Sequence, residues 1–358
     1  MEEWIKCPLG DILNFRRGHD LPKTSMIPGD IPVAGSNGII GFHNVATPIS
    51  PCITIGRSGN VGTPYIYDKC WAHNTVLYID DHKGNDPRYL YYLLKTLPLA
   101  SFGGGSAVPT LNRNHIHPLE VVFCKDIELQ KKIAGILSKI DDKIELNRQI
   151  NDNLEQQASS LLSDWISTYP CRTYKLSDIC KYANAKCETG NLTPQNYIST
   201  ENMLPNKKGI VEASNIPTGK ATWYKVDDIL IANIRPYFQK IWKADINGGC
   251  SADVLCIRAN IESHSPILYW LLHQDAFFEY VMTGAKGCKM PRGDKQHIMN
   301  WSIDLPEVQY WADLATQLGS IDQQIAYNRI ESINLSNLRD TLLPKLMSGE
   351  IKINEIDC

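Results

Sequence analysis

The chain has 358 residues, of which 43% are hydrophobic, and a formal net charge of −3. That length accommodates two domains of ordinary size, and with no run of 18 apolar residues a membrane span is not expected. Eleven Cys are scattered without a C-x-x-C pair, which fits reduced cytosolic thiols used as small core residues, or else a metal site or disulfide framework.

The acidic total hides an uneven distribution. Residues 1–125 hold 11 basic and 10 acidic residues, and residues 166–305 hold 16 and 13. Residues 126–165 and 306–358 hold 5 against 8 and 4 against 8. Two stretches can therefore offer positive faces to a polyanion while the stretches between them repel it. The N-terminus, MEEWIKCPLG, reads as neither a signal nor a transit peptide.

Residues 1–125 read as a mixed module of short strands. CITIG at 52–56 and NTVLYID at 74–80 are β-branched, apolar runs between turn residues such as IPGDIP and GSNG. DPRYLYYLLKTL at 86–97 reads as a helix with Asp86 near its N-cap and Pro87 in the first turn. A loop with Gly103 to Gly105 follows. It lacks the Lys and helix start of a phosphate cradle.

Residues 126–165 contain no Pro and one Gly. Ile133, Leu137, Ile140, Ile144, Asn147, Asn151, Leu154, Ala158, Leu161 and Trp165 follow a 4,3 spacing, the seam of a coiled coil. A helix of that length is ~60 Å long and needs a second long helix beside it. Leu314, Leu318, Ile321, Ile325, Asn328, Ser332, Leu335, Arg339, Leu342 and Leu346 supply it in the same rhythm. LSKIDDKIELNR at 137–148 matches LGSIDQQIAYNR at 318–329, an offset of 181 residues. Asn147 and Asn328 on the seam either fix the register or mark a point where the helices splay and water enters.

Between the helices, residues 168–305 repeat the first module. DDILIANI at 227–234 and ADVLCIR at 252–258 read as strands, and SPILYWLLHQDAFFEYVM at 265–282 as a helix. PLGDIL matches KLSDIC through Leu9, Asp11 and Ile12 against Leu176, Asp178 and Ile179. Pro109 and His115 align with Pro291 and His297. The expected organisation is a module at 1–125, a spacer helix at 126–167, a second module at 168–305, and a second helix with a tail at 306–358. The class is α+β, with the two long helices paired as an antiparallel coiled coil and an internal pseudo-two-fold repeat.

Catalytic motifs are missing. No N/D-P-P-F/Y motif for adenine methylation occurs, no G-x-x-x-x-G-K-S/T phosphate loop and no H-E-x-x-H. No nucleophile stands out with a base beside it, and no metal site is expected.

Two modules alternating with two similar helices resemble the specificity subunit of type I restriction-modification enzymes. KIDDKIELNRQINDNLEQQA at 139–158 and LRDTLLPKLMSGEI at 338–351 carry the most specific part of the likeness. The resemblance implies two target recognition domains, each reading half of a split target in double-stranded DNA. It implies a helical spacer on which two methyltransferase subunits dock and which restriction subunits join. It also implies that S-adenosylmethionine, ATP and Mg belong to those partners, that this chain is not itself an enzyme, and that it is cytoplasmic. A structural coiled-coil adaptor whose modules bind protein is the alternative.

The candidate DNA contacts lie on two pairs of loops. GRSGN at 56–60 offers Arg57 and Asn60, and GGGSAVPTLNRNH offers Asn112 and Arg113. NIRPYFQK at 233–240 offers Asn233, Arg235, Tyr237 and Gln239, and AKGCKMPRGDKQH at 285–297 offers Lys286, Lys289, Arg292 and Lys295. Arg suits guanine, and Asn or Gln suits adenine, in the major groove. The bland reading is a solvated basic loop.

Overall fold

The computed structural model describes residues 4–104 and 110–353. The chain divides into two compact units. One takes the chain up to Leu146 and again from Glu331; the other is Asn147–Ile330. Each unit contains one module and a segment of each long helix.

In the first unit four antiparallel strands lie in the order Asn14–Arg17, Val76–Asp81, Cys52–Gly56, Pro64–Tyr67. A smaller sheet holds Gly38–His43, Ile31–Gly35 and Trp71–Ala72, the last pair parallel. Trp4–Pro8 pairs with Glu120–Cys124 where the chain enters and leaves the module. The helix Pro87–Thr96 starts as the sequence predicts, with the Asp86 carboxylate accepting from the Tyr89 N–H at 2.8 Å. Phe15, Ile53, Ile55, Ile79, Tyr89 and Leu90 form a core that continues into Ile133 and Leu137 of the first long helix and Leu346 of the second.

The second unit repeats the strand order: Cys180–Tyr182, Val254–Ala259, Ile229–Ala232, Ile241–Lys243, again antiparallel. Its companion sheet runs Lys186–Glu188, Lys220–Tyr224, Gly248–Cys250 and Tyr197–Ile198, with the last pair again parallel. Cys171–Lys175 pairs with Ser302–Pro306. The single helix expected over 265–282 is two, Ser265–Leu272 and Asp275–Thr283, because Gln274 is extended at ψ 148. Ile267, Trp270 and Leu271 face the long helices, whereas Leu268, Leu272, Phe277, Phe278 and Val281 face the sheet core. The first helix is buried on both sides, between the long helices and the sheet, and the break lets the second turn Phe277, Phe278 and Val281 onto the sheet core.

The long helices are Ile127–Thr168, of 42 residues, and Trp311–Ser348, of 38. Asp126 starts the first by accepting from the N–H groups of Glu128 and Leu129. The second ends at Gly349, whose φ of +75 favours glycine and where a Cβ would stand 2.7 Å from the Trp4 ring. Of the seam positions, Ile140, Asn147, Ile321 and Asn328 are buried, and Ile144, Leu154, Ile325 and Leu335 are half-buried.

One aspartate of the repeated helical segment is tied to the module in each unit. Asp141 accepts from the Tyr92 hydroxyl at 2.7 Å and pairs with Arg339 at 2.7 Å. Asp322, offset from it by 181 residues, accepts from the Trp270 indole at 2.8 Å and pairs with Lys243 at 2.6 Å. Within the second unit the seam amides also connect: the Asn328 amide donates to the Asn151 side-chain carbonyl at 2.8 Å.

Candidate nucleic-acid interface

In the first module the core strand Cys52–Gly56 runs straight into the loop that carries Arg57 and Asn60. Gly56 is required there, since a Cβ would stand 1.7 Å from the Asn60 carbonyl oxygen. Backbone bonds lace this loop to a second one. The Leu111 N–H donates to the Arg57 carbonyl at 2.7 Å, and Thr110 bridges to both Ser58 and Gly104. Gly105 and Pro109, which the sequence assigns to that second loop, lie outside the described residues.

The second module builds the same lacing. The Gly293 N–H donates to the Asn233 carbonyl at 3.1 Å, and Arg292 bridges to both Ile234 and Lys286. Thr110 and Arg292, like Gly104 and Lys286, are 182 residues apart. Each second loop then starts a short helix, Arg113–Ile116 or Lys295–Met299. The caps are equivalent too: Asn112 accepts from the Asn114 N–H, and Asp294 from those of Gln296 and His297.

The candidate side chains differ in how far they are already engaged. Asn112 is a helix cap, and Arg113 is exposed with one N–H donated to the Phe15 carbonyl at 3.0 Å. Asn60 accepts from the Thr63 hydroxyl, and Arg57 is half-buried beside the strand end. In the second module Gln239 donates to Asp275 at 3.2 Å. Asn233 is half-buried, with its side-chain oxygen against Gly293. Lys286 pairs with Asp294 at 2.6 Å and Arg292 with Asp253 at 3.0 Å. The Lys286 hydrogen bond, with the helix cap behind it, holds the Asp294 carboxyl down to about 2. Lys295 lies over the Tyr182 ring at 5.7 Å. Lys289, Arg235 and Tyr237 are exposed, and among the described residues neither cation forms an ion pair.

The strand order, the lacing and the side chains on it can be set beside known proteins. A family model described as type I restriction modification DNA specificity domain matches residues 1–156. The MjaIX type I restriction enzyme specificity subunit of Methanocaldococcus jannaschii is 25% identical over 311 residues, covering 75% of this chain and 70% of that protein. A putative type I specificity subunit of Mycoplasma genitalium is 23% identical over 376 aligned positions, covering 96% of this chain and 93% of that one. The chain is thus similar to type I restriction-modification specificity subunits, and its residues 1–156 match their DNA specificity domain. The fold agrees: the crystal structure of a type I restriction-modification S subunit from M. genitalium superposes with a TM-score of 0.62 at 18% identity, over 96% of each chain.

A third loop at the first site is not marked as such in the sequence. Ser36 and Asn37 form the two-residue turn between Ile31–Gly35 and Gly38–His43. A Cβ on Gly59 would stand 3.5 Å from the Ser36 hydroxyl, so this turn abuts the Arg57 loop. The Asn37-Gly38 dipeptide announces a hairpin turn, but its place beside the loop is a tertiary fact. In the second module Asn206, Lys207 and Phe238 were missed; they support the 233–240 loop through backbone bonds.

Proposed function

We infer that this chain is a type I restriction-modification specificity subunit and reads a bipartite target in double-stranded DNA, one half with each module. The observation that carries this is the repeated lacing: in both modules a donor-bearing loop leaves the core strand and is bridged at matching positions to a second donor-bearing loop. In this reading phosphate contacts set the position of each module and base-edge contacts set its selectivity. The long helices pair antiparallel as a coiled-coil spacer. The Asn328–Asn151 hydrogen bond, the Trp165 indole on the Tyr310 carbonyl at 3.0 Å and the Asp141–Arg339 pair support that reading, each within its own unit.

Two methyltransferase subunits dock on the spacer and restriction subunits join them. S-adenosylmethionine, ATP and Mg are bound by those partners, and the chain alone transfers no methyl group. Tyr327, Ile330, Ile333 and Leu338, exposed along the second long helix, are the apolar side chains offered to them. The complex works in the cytoplasm; no helix among the described residues is long and apolar enough to cross a membrane.

Methylome sequencing of cells expressing the chain with its methyltransferase partner tests this reading. It should return two short specified blocks around a gap of fixed length. Four residues inserted near Gln157 should change that gap by roughly one or two base pairs, since ~6 Å of helix spans about two steps of 3.4 Å. A single continuous motif, an unchanged gap, or no sequence preference would overturn it, the last in favour of a protein-binding adaptor.

A further inference from the structure

Among the described residues six non-glycine residues have positive φ, and four of them meet at one place in the second module: Asn206, Lys207, Arg235 and Gln239, at 56, 62, 52 and 50°. A residue with a Cβ is disfavoured there, and persists only where its surroundings over-determine it. Here they do. The N–H groups of Asn206 and Lys207 donate to the carbonyls of Phe238 and Gln239 at 2.8 and 2.9 Å. The Arg235 N–H donates to the Pro291 carbonyl at 2.8 Å, from the basic loop on the other side. Lys207 and Gln239 both reach one oxygen of Asp275, at 2.6 and 3.2 Å. Pro236 is buried beneath.

What this clamp holds up is the short turn Pro236–Phe238. Tyr237 is 50% exposed and Phe238 38%, with ring centroids 4.7 Å apart. Met290, beside Pro291, is 50% exposed. A protein does not spend four left-handed residues to leave two aromatic rings in water without a use for them. The Lys240 ammonium lies 5.9 Å from the Phe238 ring, exposed Arg235 precedes the turn, and exposed Lys289 lies on the loop whose Pro291 carbonyl the Arg235 N–H meets. A rigid apolar ridge rimmed by cations matches a polyanion with an apolar interior, which is a DNA duplex opened at one base step. The corresponding loop of the first module carries Ser58 and Gly59 after Arg57 and has no side chain large enough to do this.

We propose that Tyr237 and Phe238 form a wedge that enters between two base pairs of the half-target read by the second module, so that this half is selected partly by how easily the step opens. The proposal rests on the DNA-reading function above. It further places a flexible pyrimidine–purine step, TA or CA/TG, at the point of entry.

The test uses the full chain assembled with its methyltransferase subunits, and duplexes carrying the target found by methylome sequencing. 2-Aminopurine is substituted in turn at each purine of the second half-target. One position other than the methylated adenine should brighten several-fold on binding. The Tyr237→Leu, Phe238→Leu double variant should lose that signal and bind about ten-fold more weakly, while Tyr237→Trp keeps both. The wedge is overturned if the complex binds selectively with no such step, or if the step still brightens in the double variant. Loss of methyltransferase from the purified double-variant complex, with the DNA signal intact, would assign the ridge to a protein contact instead and also overturn it. A wild-type complex with no selective DNA binding would overturn the DNA-reading function, and the wedge with it.

Discussion

In the first module the loop that leaves the core strand turns on glycine: Gly56 sits where any Cβ would strike Asn60, and Gly59 and Gly62 have φ of +86 and +81°. In the second module the corresponding loop turns on Arg235 and Gln239, in the same left-handed region but with side chains attached. The strand order and the bridges between loops are common to both. Glycine leaves backbone and small polar groups at the surface. Strained residues keep long side chains there at an energetic cost that the neighbouring loops must offset. One scaffold thus presents a small, polar site in one module and an aromatic, cationic one in the other.

The sharpest way to test this contrast lies where each module meets its helical segments. Asp322 is 10% exposed and pairs with Lys243, itself 13% exposed. Asp322→Ala strands that ammonium with only the more exposed Asp227 at 3.0 Å and orphans the Trp270 indole N–H. We expect a loss of about 3–5 kcal/mol. Asp141→Ala should cost only about 1–2 kcal/mol, because Asp141 is 27% exposed and Arg339 keeps Asp340 at 2.8 Å. Urea unfolding of the two variants, followed by tryptophan fluorescence, measures both. Equal losses would mean the second module is not held more tightly than the first.

Much of this was legible in the chain itself. The core strands and the helix Pro87–Thr96 lie where apolar β-branched runs, turn residues and the Asp86 cap predict them. The long helices follow from their heptads, and the two laced loops from the offset of His115 to His297. Local signals sufficed there because the segments are long, periodic or capped. What escaped depends on neighbours distant in sequence. Nothing at Gln274 announces a break; it comes from two cores drawing Trp270 and Phe277 apart. Nothing at Asn206 or Lys207 announces support for a loop some thirty residues on. The basic loop 285–297 reads as four cations against one acid, yet Asp253, far away in sequence, pairs with Arg292.

That pairing sharpens the contrast at the level of DNA. Arg235→Ala should cost the assembled methyltransferase about 1–3 kcal/mol on its target and relax only the half read by the second module, as expected of a base contact. Lys289→Ala should weaken binding to every sequence and lower the salt slope by about one. Lys286→Ala combined with Asp294→Asn removes a pair that is already neutral, and Asn still caps the helix; its salt slope should match wild type. Titrations in salt with cognate and scrambled half-sites separate the three. If the neutral pair behaves like Lys289, the paired cations touch phosphate after all.

The smallest expected effect concerns pH, and it belongs to the second unit. Burial pushes Glu155 up to about 7 from 4.5, with Asp152 adding to the shift and Lys207 opposing it. Between those values the folded chain holds a proton that the unfolded chain has lost, so this residue lowers stability as pH rises. Burial holds His273 down to about 3 from 6.5, aided by Lys207. Its Nε2 is buried without a hydrogen-bond partner among the described residues. Between about 3 and 6.5 the unfolded chain binds a proton that the folded chain refuses, so this residue raises stability as pH rises. From pH 4.5 to 6.5 the two slopes oppose each other, and they leave the wild-type curve flatter than either alone. Glu155→Gln should remove the falling contribution and let stability climb by about 1 kcal/mol more than wild type across that window, half of the roughly 2 kcal/mol the full shift implies because Glu155 is only half-buried. His273→Gln should do the reverse. Denaturant midpoints of the three proteins at pH 4.5, 5.5 and 6.5 would show it. Parallel curves would mean that both groups titrate in the folded chain as they do in the unfolded one, and that water reaches them.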